Sequence, residues 1–387
     1  MILRILFFLA ILLLLPAWGI DRMCLRRYLK WPLRALLCSP NIILLAALAS
    51  VATSESYSTD AMYWKGLLLT WTLCLAVPEA KIALGMLVGA FFKRGSLGRR
   101  ICYAVAWTWG GLTFLMMIYG FTKGYQRIQT VPYTYESSRL PEAFDGYRIV
   151  QFSDLHVGTY NGDTTVVRRI VDSINACNPD LVVFTGDIVN TRAEELEKFT
   201  KVLSGIRAAD GVVAVMGNHD YAQYYRWKTP ADSLLNIRYL EQQERDMGWR
   251  LLLNENIVLR RGDDSIAVVG VENHGRPPFP ALADLGRAQQ GLAPGCFKVL
   301  LSHDPSHWRS KVLPDTNIDL TLSGHTHGMQ FRLGSFSPAS WFYPDWGGEY
   351  RSEGNRVLYV SLGVGQVLLP FRFGAWPEVN LIELKTL

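Results

Sequence analysis

Four long apolar stretches in the first third of the chain constrain its fold more than any other feature. They cover residues 2–20, 35–52, 66–92 and 101–121. A helix needs roughly 20 residues to cross a bilayer, and each stretch is close to that length. The sequence therefore predicts a transmembrane domain of about four helices over residues 1–122, with the rest of the chain folding outside the lipid.

Charge is distributed unevenly between these two parts. Residues 1–122 contain 12 Lys or Arg and 4 Asp or Glu, a net charge of +8, whereas the remainder contains 27 and 30, a net charge of −3. The basic character of the chain therefore belongs to its membrane part, and we expect no nucleic-acid partner. All seven histidines lie in the remainder, which is where we expect the chemistry.

The loops between the apolar stretches predict how the chain is oriented. The first and third loops are basic, whereas the second contains Glu55 and Asp60. Because basic loops stay in the cytoplasm, an integral, multi-pass membrane protein is expected, with everything after the fourth stretch outside the cytoplasm. The orientation inverts if the third stretch, which contains Pro78 and Glu79, does not span. An intramembrane Glu79 either marks a transport site or is paired locally.

Cysteine usage does not indicate a disulfide framework. Four of the six cysteines lie in or beside the apolar stretches, which leaves Cys177 and Cys296 in the globular part. Those two either form one bridge or remain two separate thiols.

The globular part alternates short apolar strands with polar residues. Strands are predicted over residues 147–152, 181–185, 212–216, 298–301 and 320–322, and each is followed within three residues by Asp, Asn or His. Apolar residues recur at helical spacing between the first two strands and again before the third, which is the order of a largely parallel sheet. Ligands of such sheets bind beyond the carboxyl ends of the strands, so the polar residues should meet there.

Further elements complete an α/β fold of two packed sheets. A second helix is predicted over residues 194–206, and residues 249–260 and 265–271 flank a Gly-Asp-Asp turn as a hairpin. Late strands follow at 357–361 and 378–385. The polar segment 123–145 shows no clear period and is predicted to be a linker, so that the globular domain covers 146–387.

The polar residues after the strands are oxygen and imidazole donors without any thiolate. They are Asp154, His156, Asp187, Asn218, His303, His325 and His327. Such a set suits Mn, Fe or Zn and argues against a Cys-rich structural zinc site. Seven donors are too many for one ion. Divided over two ions with a bridging carboxylate, they predict a two-metal site of the kind used in phosphoryl transfer.

The order of these residues resembles the calcineurin-like metallophosphoesterases, whose signature runs D-x-H, G-D, G-N-H-D/E, H and G-H-x-H. The matching segments here are Asp154-Leu155-His156, Gly186-Asp187, Gly217-Asn218-His219-Asp220, His303 and Gly324-His325-Thr326-His327. The resemblance covers residues 145–387 and includes an Arg372-Phe373-Gly374 tail. It implies an αββα sandwich that hydrolyses phosphate esters, here of a membrane-anchored bacterial type.

The resemblance also implies a role for each residue. One metal ion would be held by Asp154, His156, Asp187 and His327. The second would be held by Asp187, Asn218, His303 and His325. The ions would be divalent or of mixed valence, and a hydroxide bridging them would attack phosphorus. His219 would donate a proton to the leaving oxygen or stabilise the phosphoryl charge, with Asp220 orienting its ring.

Together with the predicted membrane anchoring and outward orientation, the resemblance implies a phosphodiester or an envelope phospholipid headgroup as the substrate. The aromatic run 336–350 is either ordinary packing or a lid that rests on lipid, since Trp and Tyr favour the membrane interface. A nucleotide-linked lipid cleaved at its pyrophosphate is an alternative, against which the predicted outward orientation counts. A membrane sensor or transport component with a metal-binding domain is an alternative of another class.

Overall fold

The chain forms two compact units in a computed structural model that describes residues 2–52, 59–275 and 279–387. One unit lies within residues 1–122 and the other within 123–387. Glu55, an acidic residue of the second loop, lies outside the described residues.

The first unit consists of long apolar helices. Their bounds are Ile2–Ile20 (α1), Trp31–Ala52 (α2), Thr59–Ala90 (α3) and Leu97–Thr122 (α4). A π-helical turn, Asp21–Leu25, and a last turn, Arg26–Tyr28, follow α1. By length and composition all four are able to cross a membrane. The third apolar stretch is one continuous helix that runs through Pro78.

Small residues bring α3 and α4 close together. A Cβ atom added to Gly85 would lie 2.6 Å from the Cβ of Ala106, and one added to Gly110 would lie 2.3 Å from Cγ1 of Ile82. Helices in lipid gain little from the hydrophobic effect between them, so close backbone approach at small residues is what holds such pairs together.

The second unit contains two mixed six-stranded sheets. The first has the order β1-β12-β2-β3-β4-β5, and the second β10-β11-β9-β8-β7-β6. The strands of the first sheet are β1 (Gln129–Glu136), β2 (Arg148–Phe152), β3 (Leu181–Phe184), β4 (Val212–Ala214), β5 (Trp249–Leu251) and β12 (Glu378–Lys385). Those of the second are β6 (Glu255–Arg261), β7 (Asp264–Gly270), β8 (Phe297–Leu301), β9 (Leu320–Ser323), β10 (Gly348–Arg351) and β11 (Val357–Val360).

Apolar residues fill the space between the sheets and cover their outer faces. Ile149 and Val183 of the first sheet share one core with Val268 and Val299 of the second. A second core packs α5 (Thr165–Ala176) on the outer face of the first sheet. The longest helix of this unit is α6 (Pro230–Asp246). These layers confirm the predicted two-sheet α/β class.

The segment predicted as a linker contains a strand. Residues 129–136 form β1, which pairs in parallel with β12 from Gln129 opposite Glu378 to Glu136 opposite Lys385. The linker prediction was wrong here because Pro132 and alternating polar residues obscured the strand pattern. An edge strand tolerates such a Pro, since one side of it needs no ladder hydrogen bonds.

Two further elements differ from their predictions. The helix expected over residues 194–206 is a 3-10 turn, Ala193–Leu196, followed by one helical turn, Thr200–Leu203. The first arm of the predicted hairpin is divided between the sheets, because β5 pairs in parallel with β4 while β6 pairs with β7. Cys177 and Cys296 are both free thiols.

Candidate metal centre

The seven predicted donors follow the carboxyl ends of five strands from both sheets. Five of them have a left-handed backbone, with φ between +46° and +76°: Asp154, His156, Asp187, His325 and His327. A residue other than glycine in this region costs roughly 1–2 kcal/mol, so such conformations persist only where the surroundings impose them. Their concentration here indicates a functional site at the edge shared by the two sheets.

Glycines beside the donors leave no space for a side chain. A Cβ atom on Gly324 would lie 2.0 Å from Oγ of Ser153 and 2.3 Å from Oδ2 of Asp154, and one on Gly217 would lie 2.2 Å from Oδ1 of Asp187. The G-N-H and G-H-x-H motifs therefore need glycine because the backbone passes directly over the candidate ligands.

One group of donors consists of Asp154, His156 and His327. Nε2 of His327 lies 3.3 Å from Oδ1 of Asp154 and 3.2 Å from Nε2 of His156. All three residues are buried. Two imidazole nitrogens that face each other at this distance beside a carboxylate form an arrangement that a cation would satisfy.

A second group consists of Asp187, Asn218, His303 and His325. Nε2 of His303 lies 3.1 Å from Oδ2 of Asp187, 3.2 Å from Oδ1 of Asn218 and 3.2 Å from Nδ1 of His325. The same Oδ2 atom of Asp187 lies 3.7 Å from Nε2 of His156 in the first group. Asp187 is thus placed between the two groups.

The electrostatics of the centre also favour bound positive charge. Burial by itself would raise the pKa of Asp187, yet the imidazole of His303 holds that pKa well below its usual range. Burial likewise disfavours the charged form of His303, but the Asp187 carboxylate outweighs it and raises the pKa of His303 to about 10. Asp154 has a lowered pKa beside His327, again against the effect of burial. The carboxylates therefore stay ionised in a buried site, which suits bound metal ions.

His219 lies close to both groups. One of its ring nitrogens falls within 4.8 Å of donor atoms of His156 and Asp187. Nδ1 of His219 lies 2.7 Å from the carbonyl oxygen of Asn190, and its backbone N–H donates to Oδ1 of Asp187 at 2.8 Å. The ring also stacks on Tyr224, with centroids 4.0 Å apart.

Asp220 is placed differently from what the resemblance implied. Its carboxylate accepts from the backbone N–H groups of Asp187, Ile188, Val189 and Gly217 at 2.8–3.3 Å. The carbonyl of Asn190, and not this carboxylate, holds the His219 ring. Asp220 therefore links the loop after β3 to the loop after β4 through these hydrogen bonds. Charge-assisted bonds from several backbone N–H groups are what a buried carboxylate needs.

Three further residues hold the candidate ligands and were not predicted for this role. Tyr224 accepts from Nδ2 of Asn218 at 2.8 Å, which turns Oδ1 of that amide toward the centre. The hydroxyl of Tyr343 lies 2.8 Å from Nε2 of His325. Tyr224 follows the G-N-H-D motif closely, but an aromatic residue four positions after a motif carries no distinctive sequence signal.

Arg372 is the third of these residues and is fully buried. Its Nη2 donates to Nδ1 of His327 at 3.1 Å and to the carbonyls of Leu362 and Gly365 at 2.8 and 2.7 Å. Its Nη1 donates to the carbonyl of Ala375 at 2.9 Å. One guanidinium therefore joins a candidate ligand to the chain around it. The sequence shows the Arg372-Phe373-Gly374 tail, but the contact of Arg372 with His327 is visible only in the structure.

Other polar residues near the motifs serve the surrounding structure. Gln330 accepts from the backbone N–H of Val367 and donates to the carbonyls of Val367 and Leu369. His307 lies 2.9 Å from Oγ of Ser302 and stacks on His274, with centroids 4.2 Å apart.

Comparisons with known proteins agree with this site. The family model of the calcineurin-like phosphoesterases matches residues 147–329. An uncharacterised metallophosphoesterase of Bacillus subtilis, YkuE, is 31% identical over 268 residues, which cover 67% of this chain and 86% of that protein. A transmembrane protein with a metallophosphoesterase domain from Danio rerio is 28% identical over 282 residues, which cover 71% of this chain and 61% of that protein.

A further relative has a named activity. The UDP-2,3-diacylglucosamine pyrophosphatase LpxG of Chlamydia trachomatis is 28% identical over 294 residues, which cover 63% of this chain and 86% of that protein. The complete motif set, the two-sheet fold and these similarities lead to one assignment. The chain belongs to the calcineurin-like metallophosphoesterases and is a metal-dependent phosphoester hydrolase.

Proposed function

We propose that this protein is a membrane-anchored phosphohydrolase with a dinuclear metal centre, acting on a phosphodiester or an envelope phospholipid headgroup. The observation that carries the proposal is the position of one oxygen atom. Oδ2 of Asp187 lies 3.1 Å from Nε2 of His303 and 3.7 Å from Nε2 of His156. A carboxylate that faces two groups of donors is the feature that a bridging ligand requires.

In this proposal the residues divide between two ions. Asp154, His156, Asp187 and His327 hold one. Asp187, Asn218, His303 and His325 hold the other. Mn, Fe and Zn all suit these donors. The bound ions would supply activation of the attacking water and compensation of the negative charge on the phosphoryl oxygens.

His219 is proposed as the proton donor to the leaving oxygen. A carbonyl oxygen can only accept, so Nδ1 of His219 must carry a hydrogen in its 2.7 Å contact with Asn190. The nitrogen that gains and loses a proton is then Nε2. Stacking on Tyr224 fixes the plane of the ring, and a positioned imidazole of this kind is a suitable general acid.

A partly apolar cavity beside the second group of donors supports a substrate with an apolar portion. The cavity has a volume of about 400 Å³ and is lined by Phe279, Pro305, Phe342, Tyr343 and Pro344 together with the polar residues Asp304, Ser306 and Asp345. Tyr343 lies in its wall and also contacts the candidate ligand His325. A phosphate at the metal centre would therefore have its substituent against aromatic side chains.

Exposed aromatic residues extend this apolar surface. Trp341 is 71% exposed and Phe342 is 68% exposed, both in the aromatic run noted in the sequence. The observation favours the lid over ordinary packing, since packed aromatic rings would be buried. A lipid headgroup substrate explains why large rings remain in solvent beside the site.

A nucleotide-linked lipid is the second candidate substrate. The Chlamydia trachomatis relative is named for cleaving such a compound, and the same cavity would suit acyl chains. The placement of the catalytic unit separates the two proposals. Basic first and third loops support a location outside the cytoplasm, where phospholipids but no nucleotide-linked precursors are expected.

The test is a substrate panel on the full-length protein in lipid vesicles. The protein is loaded in turn with Mn, Fe and Zn and is offered phosphomonoesters, phosphodiesters, phospholipids and nucleotide-linked lipids. We expect the fastest turnover with a diester or a phospholipid. Asp187→Asn should lose at least about 100-fold in kcat. The control is Asp145→Asn, which should keep its kcat. The Asp145 carboxylate is exposed, and its hydrogen bonds in the described structure are to Thr386. Preference for the nucleotide-linked lipid would favour the second candidate, and full activity of Asp187→Asn would overturn the bridging role.

A further inference from the structure

Two neighbouring candidate spans each carry a proline followed by a polar residue in the middle of the span. Pro40 and Asn41 are the tenth and eleventh residues of the 20-residue span in α2. Pro78 and Glu79 are the thirteenth and fourteenth residues of the 25-residue span in α3. If these helices cross the bilayer, as proposed, both pairs lie near its midplane, where polar groups are most costly and where ion sites of membrane proteins are found.

The two polar side chains contact each other across the helix interface. Nδ2 of Asn41 donates to both carboxylate oxygens of Glu79, at 3.2 and 3.1 Å. Asn41 is only 1% exposed. Its Oδ1 atom is buried and accepts no hydrogen bond within the part of the chain that the structure describes. An amide in this position leaves an unsatisfied acceptor beside a carboxylate, and such a group is expensive in an apolar environment.

Lys81 and Arg34, the basic residues nearest to Glu79 and Asn41 in sequence, have partners other than Glu79. Lys81 donates to Oγ1 of Thr113 at 3.1 Å and lies 5.0 Å from the ring centroid of Trp109. Arg34 forms a two-bonded pair with Asp21, at 2.5 and 2.6 Å. Among the side chains that the structure describes, those of residues 7–50, 66–275 and 279–387, none forms an ion pair with Glu79 within 4 Å. The carboxylate therefore has no basic partner among these side chains.

The two prolines each remove one backbone hydrogen-bond donor from these helices. Proline has no N–H, so the carbonyl four residues before it loses its helical donor. The carbonyl of Leu36, which Pro40 affects, accepts instead from Oγ of Ser39 at 2.8 Å. The carbonyl of Cys74 is affected in the same way by Pro78, one turn before Glu79. Each proline thus removes one backbone donor from the helix turn that precedes Asn41 or Glu79.

We propose that Asn41 and Glu79 form a binding site for a small monovalent cation within the membrane unit. Carboxylate and carbonyl oxygens are the ligands that hard ions prefer. A cation would neutralise the carboxylate and satisfy Oδ1 of Asn41 at once. A proton on the Glu79 carboxyl group and a bound alkali ion would each remove its negative charge, and the experiment below distinguishes them. The site gives the four helices a role beyond anchoring and is independent of phosphoester hydrolysis.

The experiment uses dicyclohexylcarbodiimide, an apolar reagent that modifies protonated carboxyl groups in lipid. The full-length protein in phosphatidylcholine vesicles is treated with the reagent, and the labelled residue is identified by mass spectrometry. Labelling is repeated over a range of pH and with NaCl, KCl or LiCl in place of choline chloride at constant ionic strength. We expect Glu79 to be labelled and an alkali ion to protect it, because the ion displaces the proton that the reaction requires.

The variant Asn41→Ala tests the second ligand. It should keep the labelling of Glu79 while raising the cation concentration for half-protection by at least about tenfold. Circular dichroism, to which the long helices contribute, verifies that the variant is folded. Asp21, whose carboxylate is paired with Arg34, is the internal control. Alkali ions should not change its reaction with the reagent.

Two results support the proposal and identify the cation. Protection by an alkali ion that Asn41→Ala weakens identifies a metal cation. Labelling that follows pH alone, with a pH midpoint that Asn41→Ala shifts, identifies the proton. Absence of labelling at Glu79, or identical labelling of Asn41→Ala and the unaltered chain in every buffer, would overturn the site.

Discussion

Individual side chains around the candidate metal centre are held by partners outside the donor set. Arg372 reaches His327 across 45 residues of sequence. Asn190 and Tyr343 contact His219 and His325 across 29 and 18 residues, and Tyr224 contacts Asn218 from six residues away. Such contacts set the orientation of a ligand ring or amide, and ligand orientation commonly changes metal affinity as much as a weak ligand does.

Arg372→Lys should weaken metal binding without unfolding the protein. Lysine keeps the positive charge, but it lacks the planar fork that joins Nδ1 of His327 to two carbonyl groups. We expect metal affinity to fall by roughly 10–100-fold. Competition titration with a chelator measures the affinity, and circular dichroism verifies the fold.

The control for this prediction is Arg332→Lys. Arg332 is exposed, and its Nε donates to the carbonyl of Gly334 rather than to a candidate ligand. Its replacement should leave the affinity unchanged. Equal affinities of the Arg372 variant and the unaltered protein would show that the guanidinium has no part in holding His327.

His219→Gln should separate catalysis from metal binding. Loss of a general acid lowers kcat by about 100- to 10,000-fold, whereas a residue outside both sets of ligands leaves metal content unchanged. The measurements are kcat with a substrate whose leaving group needs a proton and metal content by elemental analysis. His274→Gln is the control, because that ring stacks on His307 and its Nε2 lies 3.2 Å from Oγ of Ser310, neither of which is a predicted donor. Loss of metal from His219→Gln would identify this residue as a ligand instead.

Helix α6 packs polar as well as apolar side chains on its buried face, and one of these polar side chains has no hydrogen-bond partner among the described residues. Its buried face consists of Asn236, Leu240, Gln243 and Glu244. Asn236 and Gln243 bond the backbone of Ala193, at the turn that follows the Asp187 loop. Both carboxyl oxygens of Glu244 are buried without a hydrogen-bond partner among the described residues. The helix therefore supports the site but carries an acid whose ionisation disfavours the folded state.

The pH dependence of stability follows from this acid. Burial, and then the charge of Asp220, raises the pKa of Glu244 well above its usual value. The folded state holds this proton more tightly than the unfolded state, so its contribution to stability is full below the ordinary pKa and is lost as the pH rises toward the raised pKa. Glu244→Gln should increase the unfolding temperature near neutral pH by a few degrees, since about 1 kcal/mol shifts a domain of this size by about 2–4 °C.

Thermal unfolding followed by tryptophan fluorescence measures this difference. In mildly acidic buffer the Gln variant and the unaltered chain should unfold at nearly the same temperature. Glu241→Gln, on the same helix and paired with Arg245 near the surface, should show no such pH-dependent gain. A Gln variant that is less stable at neutral pH would indicate that the carboxylate of Glu244 has a partner in solution.

The whole molecule combines a membrane unit and a hydrolase unit, and the side of the membrane on which the hydrolase lies is a prediction. Reporter enzymes fused after Leu387, which is 74% exposed, test it without interrupting a strand. A reporter that is active only outside the cytoplasm should give the signal, because the basic first and third loops favour the cytoplasm. Signal from a cytoplasmic reporter alone would invert the orientation and would favour the nucleotide-linked lipid as substrate.

Much of this architecture was predictable because it depends on local patterns. Apolar length predicts the four long helices, and short apolar runs that end in Asp, Asn or His predict β2, β3, β4, β8 and β9. The donors of each sheet meet because the carboxyl ends of its parallel strands share one edge, whereas the packing of the two sheets brings both sets of donors together. The wrong predictions concern segments whose secondary structure depends on contacts with distant parts of the chain. β1 is a strand only because β12 offers a parallel edge, and residues 194–206 lack a long helix although their pattern is helical.

The order of residues along the chain was thus sufficient for the family, the two-part organisation and the identity of the candidate donors, because these follow from short motifs and apolar length. Contacts between distant residues were needed for the rest. They place Asp187 between two donor groups, assign Asp220 to backbone amides and Asn190 to His219, and bring Asn41 to Glu79. Hydrogen bonds and burial depend on distances in space, and neither distance nor burial can be read from neighbours in sequence.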